Sequence, residues 1–153
     1  MIRQEGRFFI LETKNTQYIL EIDAENKLVR NHYGRKINDC IPTHAEPRSF
    51  CCTDKEKSDE TKALEFPTFG HTDFRIPMFS ATLADGSCVT EFVYDSAKIP
   101  GEKPQLSVMP SARGKLPCLI VTLRCINAPV RAELNYSVYE ECDVIVKNCR
   151  IFA

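Results

Sequence analysis

Residues 130–139 read Val-Arg-Ala-Glu-Leu-Asn-Tyr-Ser-Val-Tyr, with an apolar or aromatic side chain at every second position from Val130 to Val138. Successive side chains of a β-strand point to opposite faces, so this run collects its apolar side chains on one face and its polar side chains on the other. That period of two is typical of an antiparallel strand with one face buried and one face in water. The run therefore predicts a strand of an antiparallel sheet.

Seven further segments have the composition of short strands, at residues 7–12, 16–23, 27–33, 75–83, 88–94, 118–125 and 144–152. Turn residues separate them, most clearly Asp85-Gly86, which predicts a hairpin between residues 75–83 and 88–94. Residues 95–117 predict an irregular connection with one short strand near Leu106. No segment shows a helical period, and many short strands with closely spaced turns predict an all-β fold, an antiparallel β-sandwich.

Residues 35–64 lack the strand pattern and predict a long loop inside a single domain that spans residues 1–153. The stretch is rich in Lys, Asp, Glu, Ser and Pro, and residues 54–62 are almost wholly polar. Loops of this length are uncommon in compact domains and tend to be functional or disordered. We expect residues 54–62 to be mobile or to lie across a partner surface, and the alternative is a solvated linker with no role.

Residues 65–77 read Glu-Phe-Pro-Thr-Phe-Gly-His-Thr-Asp-Phe-Arg-Ile-Pro and are called the signature segment below. Its two prolines exclude a helix, so Asp73 and Arg75, two residues apart, project on the same face of an extended backbone. An acid and a guanidinium side by side could hydrogen-bond a polyol, or they could simply pair with each other or with main chain. His71 follows Gly70 and faces either a ligand or solvent.

The signature segment resembles the aromatic-Pro-x-aromatic-Gly-x-Gly-Asp-Phe-Arg-x-Pro motif of glycoside hydrolase family 36, the bacterial and fungal α-galactosidases. Similar elements follow in the family's order at residues 85–94, 103–106 and 134–150, and another precedes the segment at residues 33–37. The resemblance therefore covers nearly the whole chain and points to the family's N-terminal β-sandwich domain. One departure is Thr72, which stands where the family has glycine.

The resemblance implies a portion of a galactose-mutarotase-like super-sandwich and, in the full-length enzyme, hydrolysis of terminal α-D-galactosides. In that family the N-terminal domain packs on the catalytic barrel, supports oligomerisation and lends loop residues to a neighbouring substrate pocket. By position, Asp73, Arg75 and His71 would contact the sugar. We expect a sandwich cut part-way to leave strand edges and apolar faces uncovered, and so to associate with the missing catalytic region or with copies of itself.

The chain alone is expected to be inactive. A (β/α)₈ barrel needs about 250 residues, more than the 153 present. Retaining glycosidases need two carboxylates about 5 Å apart around the scissile bond. The densest acid cluster, Glu140, Glu141 and Asp143, falls instead in a predicted turn. No nucleophile motif or phosphate-binding loop is present, and no cofactor is expected.

Composition limits which binding partners and which cellular compartment are expected for the chain. A net charge of -1 gives no electrostatic case for nucleic acid or an anionic membrane. The charged residues at the N-terminus do not resemble a signal peptide, so a cytoplasmic protein is predicted. The eight cysteines form no CxxC pair and are expected to be reduced thiols. Cys40, His44, Cys51 and Cys52 share one loop, but their spacing fits no zinc pattern, and no metal site is expected.

The alternative function is a free-standing β-sandwich module that binds carbohydrate or protein. Carbohydrate-binding modules usually present tryptophan or tyrosine faces to the sugar. The chain has no tryptophan and only five tyrosines, most of them at alternating strand positions, which weighs against this alternative.

Overall fold

The computed structural model describes residues 1–42, 62–70, 75–106 and 114–153. These residues form eight strands: β1 (Ile2–Glu5), β2 (Phe8–Glu12), β3 (Thr16–Ile22), β4 (Leu28–Arg35), β5 (Phe92–Lys98), β6 (Cys118–Cys125), β7 (Arg131–Tyr139) and β8 (Val144–Phe152). A short 3₁₀ turn at Glu140–Cys142 joins β7 to β8. None of the described residues forms a helix long and apolar enough to cross a membrane.

The strands form two four-stranded antiparallel sheets, ordered β1-β2-β3-β4 and β5-β6-β7-β8. Each sheet follows chain order because short turns join nearly all consecutive strands. Non-glycine residues with positive φ make two of those turns, Asn26 at φ 63° and Asp143 at φ 52°. Asparagine and aspartate tolerate this left-handed conformation better than other residues. The predicted antiparallel β-sandwich is confirmed.

The core lies between the two sheets and contains the alternating apolar set of β7. Ala132, Leu134, Tyr136 and Val138 are buried and belong to one cluster with residues of the facing sheet such as Phe9. Apolar and polar side chains alternate in β7 because one face of the strand packs into that cluster and the other face turns away from it. Full burial of each large apolar side chain contributes about 1.5–3 kcal/mol.

The outer face of the first sheet is also covered. Gln17 and Glu21 are buried on the side of β3 that turns away from the core. The Gln17 side-chain oxygen accepts a hydrogen bond from the Ile37 amide at 3.0 Å. The Asn31 side chain donates to Glu21 at 3.0 Å and to the Ile41 carbonyl at 2.7 Å. The start of the predicted loop at residues 35–64 therefore lies against the sheet, while residues 43–61 fall outside the described part.

The predicted hairpin around residues 85–86 is wrong in its strands and right in its turn. The Leu83 amide donates to the Ser87 carbonyl at 2.8 Å, which closes the turn. Residues 75–83 and 88–91 form no strand, and one isolated bridge, Thr68 to Phe79, pairs the first of these stretches. Pro77 has no amide to donate and most neighbouring side chains are exposed, so a ladder here would bury little.

Two other predictions need correction. β5 extends to Lys98, into a stretch predicted to be irregular, and residues 99–106 form no strand at Leu106. The first sheet has four strands, because β1 adds an edge strand to the three segments predicted at residues 7–12, 16–23 and 27–33. With one apolar residue in four, β1 has no amphipathic pattern, and it forms through backbone pairing with β2.

Candidate functional site

Residues 62–70, which include the first part of the signature segment, lie beside the first half of β4. The Arg30 amide donates to the Ala63 carbonyl at 2.8 Å, and the Glu65 amide donates to the Leu28 carbonyl at 2.9 Å. Leu64 and Val29 form the bridge between these two bonds. The segment thus occupies part of the β4 edge and is extended there, as its prolines predicted.

Glu65 connects the two sheets. Its carboxylate accepts hydrogen bonds from the Tyr18 hydroxyl of β3 at 2.6 Å and the Tyr136 hydroxyl of β7 at 2.9 Å. The Lys147 ammonium of β8 donates to the same carboxylate at 2.7 Å and to the Glu65 carbonyl at 3.0 Å. These four residues, the Glu65 cluster, satisfy a carboxylate whose side chain is only 6% exposed. A buried charge needs such partners, and here they come from three strands.

The two tyrosines of this cluster act as donors. Burial, together with the nearby Glu65 charge, raises the pKa of both Tyr18 and Tyr136 well above its ordinary value. Both phenols therefore keep their protons and remain donors to the carboxylate at neutral pH. This arrangement suits structural hydrogen bonding and gives neither tyrosine the low pKa that a general base would need.

Three phenylalanine rings anchor the segment at Phe66, the residue after Glu65. Phe66 lies 5.1 Å from Phe92 and 6.3 Å from Phe79, and Phe79 lies 5.6 Å from Phe92, measured between ring centroids. Two of these contacts are edge-to-face, the geometry that aromatic pairs prefer. The signature segment, the loop that follows it and β5 thus share one aromatic cluster.

At Gly70 the signature segment passes close to the side chain of Val89. The φ of Gly70 is 120°, and a Cβ built there would lie 2.7 Å from Val89 Cγ1. The Thr68 hydroxyl hydrogen-bonds the Thr90 carbonyl nearby. The cavity that Gly70 helps to line has a volume of about 20 Å³. That is room for about one water molecule and far too little for a sugar ring.

Of the three predicted sugar contacts, Asp73 and His71 fall outside the described residues. Arg75 is exposed, and its guanidinium donates to the Lys62 carbonyl at 2.7 Å. Lys62 is buried and forms ion pairs with Asp23, at 2.9 Å, and Glu25. Burial opposes the charge of Lys62, but hydrogen bonds to the two carboxylates outweigh it and raise the pKa of this lysine. Arg75 is therefore tied to the main chain of a fixed segment, and its predicted contact with sugar stays a prediction.

The acid cluster at the β7–β8 turn has structural partners. The Asp143 carboxylate accepts hydrogen bonds from the Thr13 hydroxyl at 2.7 Å and the Asn15 amide at 2.8 Å. Glu140 pairs with the Met1 amino group. These contacts join the β7–β8 turn to the first sheet, so Glu140 and Asp143 are placed to hold the sandwich together.

Sequence reasoning missed the Glu65 cluster. One signal was available, because Lys147 falls on the inward-facing side of β8 between Ile145 and Cys149, where an apolar residue is expected. A charged residue at such a position predicts a buried partner. The identity of that partner could not be read from the pattern.

An open cleft of about 250 Å³ adjoins the Glu65 cluster between the two sheets, at β4 and β8. We call it the tyrosine cleft, and its lining comprises Tyr18, Arg30, Tyr33, Tyr136, Ile145 and Lys147. The exposed Tyr33 ring lies edge-on to Tyr18, with centroids 5.5 Å apart. The cleft offers aromatic faces and cations, and its lining contains no carboxylate.

The family profile described as the glycosyl hydrolase family 36 N-terminal domain matches residues 26–153. The chain belongs to this family. The family 36 chain is 31% identical over 151 residues to a probable α-galactosidase G of Aspergillus terreus, with 96% of this chain and 20% of the relative covered.

Solved structures agree with this assignment. The α-galactosidase AgaA of Geobacillus stearothermophilus superimposes with a TM-score of 0.84 at 26% identity, covering 94% of the family 36 chain and 22% of AgaA. Variants of AgaA have been solved in complex with raffinose and with stachyose. AgaB of the same organism has the same fold, with a TM-score of 0.89 at 24% identity and coverage of 99% and 22%. The family 36 chain therefore spans about a fifth of the length of its relatives.

Proposed function

We propose that this chain serves as the non-catalytic N-terminal portion of an α-galactosidase that hydrolyses terminal α-D-galactosides in its full-length form. The observation that carries the proposal is the match of nearly the whole chain to about a fifth of each relative. The chemistry of the described residues agrees with it, since Glu140 and Asp143 of the β7–β8 turn are engaged in structural contacts and no carboxylate lines the tyrosine cleft.

The proposed role of the chain is to hold the catalytic region and to support oligomerisation. Beyond the Glu65 cluster the signature segment and its continuation expose Phe69, Ile76 and Met78, and Ile76 is 92% exposed. Exposed apolar side chains next to an anchored segment are typical of a contact surface. We infer that this surface meets the rest of the enzyme or a second subunit, and that the protein acts in the cytoplasm.

The substrate role of Asp73, Arg75 and His71 belongs to the same proposal. Raffinose and stachyose, which AgaA variants bind, are the class of sugar that such residues would help to hold in a completed pocket. The Arg75 guanidinium would then do so while it also donates to the carbonyl of Lys62, whose ammonium is paired with Asp23 and Glu25.

The first experiment is an assay of purified chain with p-nitrophenyl α-D-galactoside, with full-length AgaA as the positive control. We expect no release of p-nitrophenol above a no-protein blank, because a (β/α)₈ catalytic barrel needs about 250 residues, more than the 153 present. Release by the chain alone that scales with its concentration would contradict the proposal.

A free-standing sugar-binding module is the second candidate, and the exposed Tyr33 ring in the tyrosine cleft favours it. Titration calorimetry with raffinose separates the two candidates. The proposal expects no saturable heat from the chain alone. Saturable binding that is lost in Tyr33→Ala and kept in Tyr139→Ala would support the module instead.

A further inference from the structure

We propose that Lys62 is a positioning residue for the substrate, because its paired side chain fixes the main-chain carbonyl to which the Arg75 guanidinium is bonded. This role rests on the proposed function, in which Arg75 contacts the sugar. It assigns the residue through which the sandwich holds Arg75 in place, and it gives the turn between β3 and β4, residues 23–27, a part in substrate affinity.

The turn between β3 and β4 is fixed by its own hydrogen bonds. One oxygen of the Asp23 carboxylate accepts the amides of Glu25 at 2.8 Å and Lys27 at 2.9 Å. An aspartate that bonds nearby amides in this way defines the path of a turn. The Tyr94 amide of β5 donates to the Asn26 carbonyl at 2.8 Å, so the turn is bonded to the second sheet as well. The other Asp23 oxygen is therefore an acceptor in a fixed place.

Lys62 is joined to that turn through a buried charge. Its ammonium donates to the second Asp23 oxygen at 2.9 Å and also pairs with Glu25. The lysine side chain is only 5% exposed, so the ammonium depends on these carboxylates rather than on water. A buried pair of this kind contributes little net stability compared with an apolar side chain of similar volume. Its effect is to hold residue 62, and with it the carbonyl of that residue, in one position.

Main-chain pairing with β4 supplies the second attachment of this carbonyl. The Ala63 carbonyl accepts the Arg30 amide at 2.8 Å, and Leu64 bridges Val29. Lys62 precedes these contacts, at the end of the paired stretch, where backbone opens most readily. The side-chain pairing of Lys62 therefore fixes the residue that β4 pairing fixes least.

The Arg75 guanidinium is oriented by the Lys62 carbonyl. One of its terminal nitrogens donates to that carbonyl at 2.7 Å across 13 residues of sequence. A guanidinium is planar and carries five N–H donors in fixed directions, so one short bond restricts the directions of the others. Arg75 is also exposed, as a sugar contact requires. Displacement of the Lys62 carbonyl would turn these donors away from the sugar hydroxyls and weaken binding.

The test uses a hybrid enzyme in which the full chain replaces the matched region of AgaA, with raffinose as substrate and galactose release as the readout. Lys62→Met removes the charge and keeps the length of the side chain. It should raise KM about tenfold and keep kcat within about twofold, because the lost interaction binds ground state and transition state alike. Lys115→Met is the matched control, since this lysine is 84% exposed and pairs with Glu102 on the surface, and it should change neither constant.

The same substitution in an Arg75→Ala background separates positioning from a general effect on the fold. Arg75→Ala alone should also raise KM about tenfold. Lys62→Met should then add less than about twofold, because two residues that act through one interaction are not additive. A further rise of about tenfold in the double variant would make the two effects independent and overturn the positioning role, as would an unchanged KM in Lys62→Met alone.

Glu25→Gln keeps the test decisive if Lys62→Met does not fold. It removes the charge of one partner, which is 24% exposed, without a change of size, and thermal melting of the chain reports folding. KM should rise about threefold, since one charged partner of the lysine remains. A folded hybrid with Glu25→Gln and an unchanged KM would contradict the role of Lys62.

Two outcomes distinguish this inference from the proposed function. A folded wild-type hybrid without activity on raffinose would count against the chain as the N-terminal portion of an α-galactosidase, and so against the role of Lys62. An active hybrid in which Arg75→Ala leaves KM unchanged would remove Arg75 from the substrate contacts. That result would refute the positioning role of Lys62 and leave the chain as a non-catalytic portion of the enzyme.

Discussion

Replacement of Glu65 by alanine tests whether the signature segment holds the two sheets together. The carboxylate accepts hydrogen bonds from Tyr18, Tyr136 and Lys147, which belong to strands of both sheets. Alanine removes the acceptor for all three donors at once and leaves the backbone bond from the Glu65 amide to Leu28 in place. The loss should therefore be specific to the Glu65 cluster.

The expected loss of stability depends on how exposed to water each hydrogen-bond donor is once its acceptor has been removed. Tyr136 is fully buried at 0% exposure, so leaving its hydroxyl without an acceptor should destabilise the fold by about 1–3 kcal/mol. Tyr18 is partly buried and adds a smaller cost of the same kind. Lys147 is 28% exposed and can turn toward water, so its charge is not stranded as in a fully buried ion pair. We expect the free energy of unfolding to fall by about 3 kcal/mol, the low end for breaking a buried pair.

Urea unfolding followed by circular dichroism measures this change, with Glu5→Ala as the matched control. Glu5 is 57% exposed and its surface pair with Arg3 should contribute less than about 1 kcal/mol. A cycle with Tyr136→Phe should reveal a coupling of about 1 kcal/mol or more, because the two side chains are in direct contact. A loss for Glu65→Ala no larger than that for Glu5→Ala would refute the structural role of the cluster.

Two other predictions concern the turn that joins the sheets and the tight glycine of the signature segment. Hydrogen bonds led by the Thr13 hydroxyl hold the pKa of Asp143 below its ordinary value of 3.8, so its stabilising effect is present at neutral pH and is lost as pH falls through the folded-state pKa. The melting temperature of Asp143→Asn, a variant that keeps the tolerance of positive φ and removes the charge, should therefore differ most from wild type near pH 7, and the difference should shrink as the wild-type carboxylate is protonated, whereas a constant difference would contradict this. Gly70→Ala should lower the free energy of unfolding by about 1–3 kcal/mol, because a Cβ would lie 2.7 Å from Val89 at a positive φ. Gly101→Ala, where no atom lies within 4 Å of an added Cβ, is the control, and equal losses at the two positions would refute the steric reasoning.

The strands that sequence predicted best are those for which one face enters the core. β7 keeps an exact period of two over nine residues, and its alternate side chains are buried as expected. The predicted strand at residues 75–83 and the first part, residues 88–91, of the one predicted at residues 88–94 had a strong turn between them but no comparable requirement to bury one face. Local turn chemistry at Asp85-Gly86 was therefore satisfied without a ladder on either side, since a turn fixes four residues and a hairpin needs cross-strand pairs.

The candidate site was predicted only in outline, because its contacts join residues far apart in the chain. Glu65 is separated by 47, 71 and 82 residues from Tyr18, Tyr136 and Lys147. No local pattern contains such pairings, and the pair that local spacing favoured, Asp73 with Arg75, was chosen because the two residues are close in sequence. The strand pattern did place Lys147 at an inward-facing position, where a charged side chain requires a partner. In the structure that partner is Glu65.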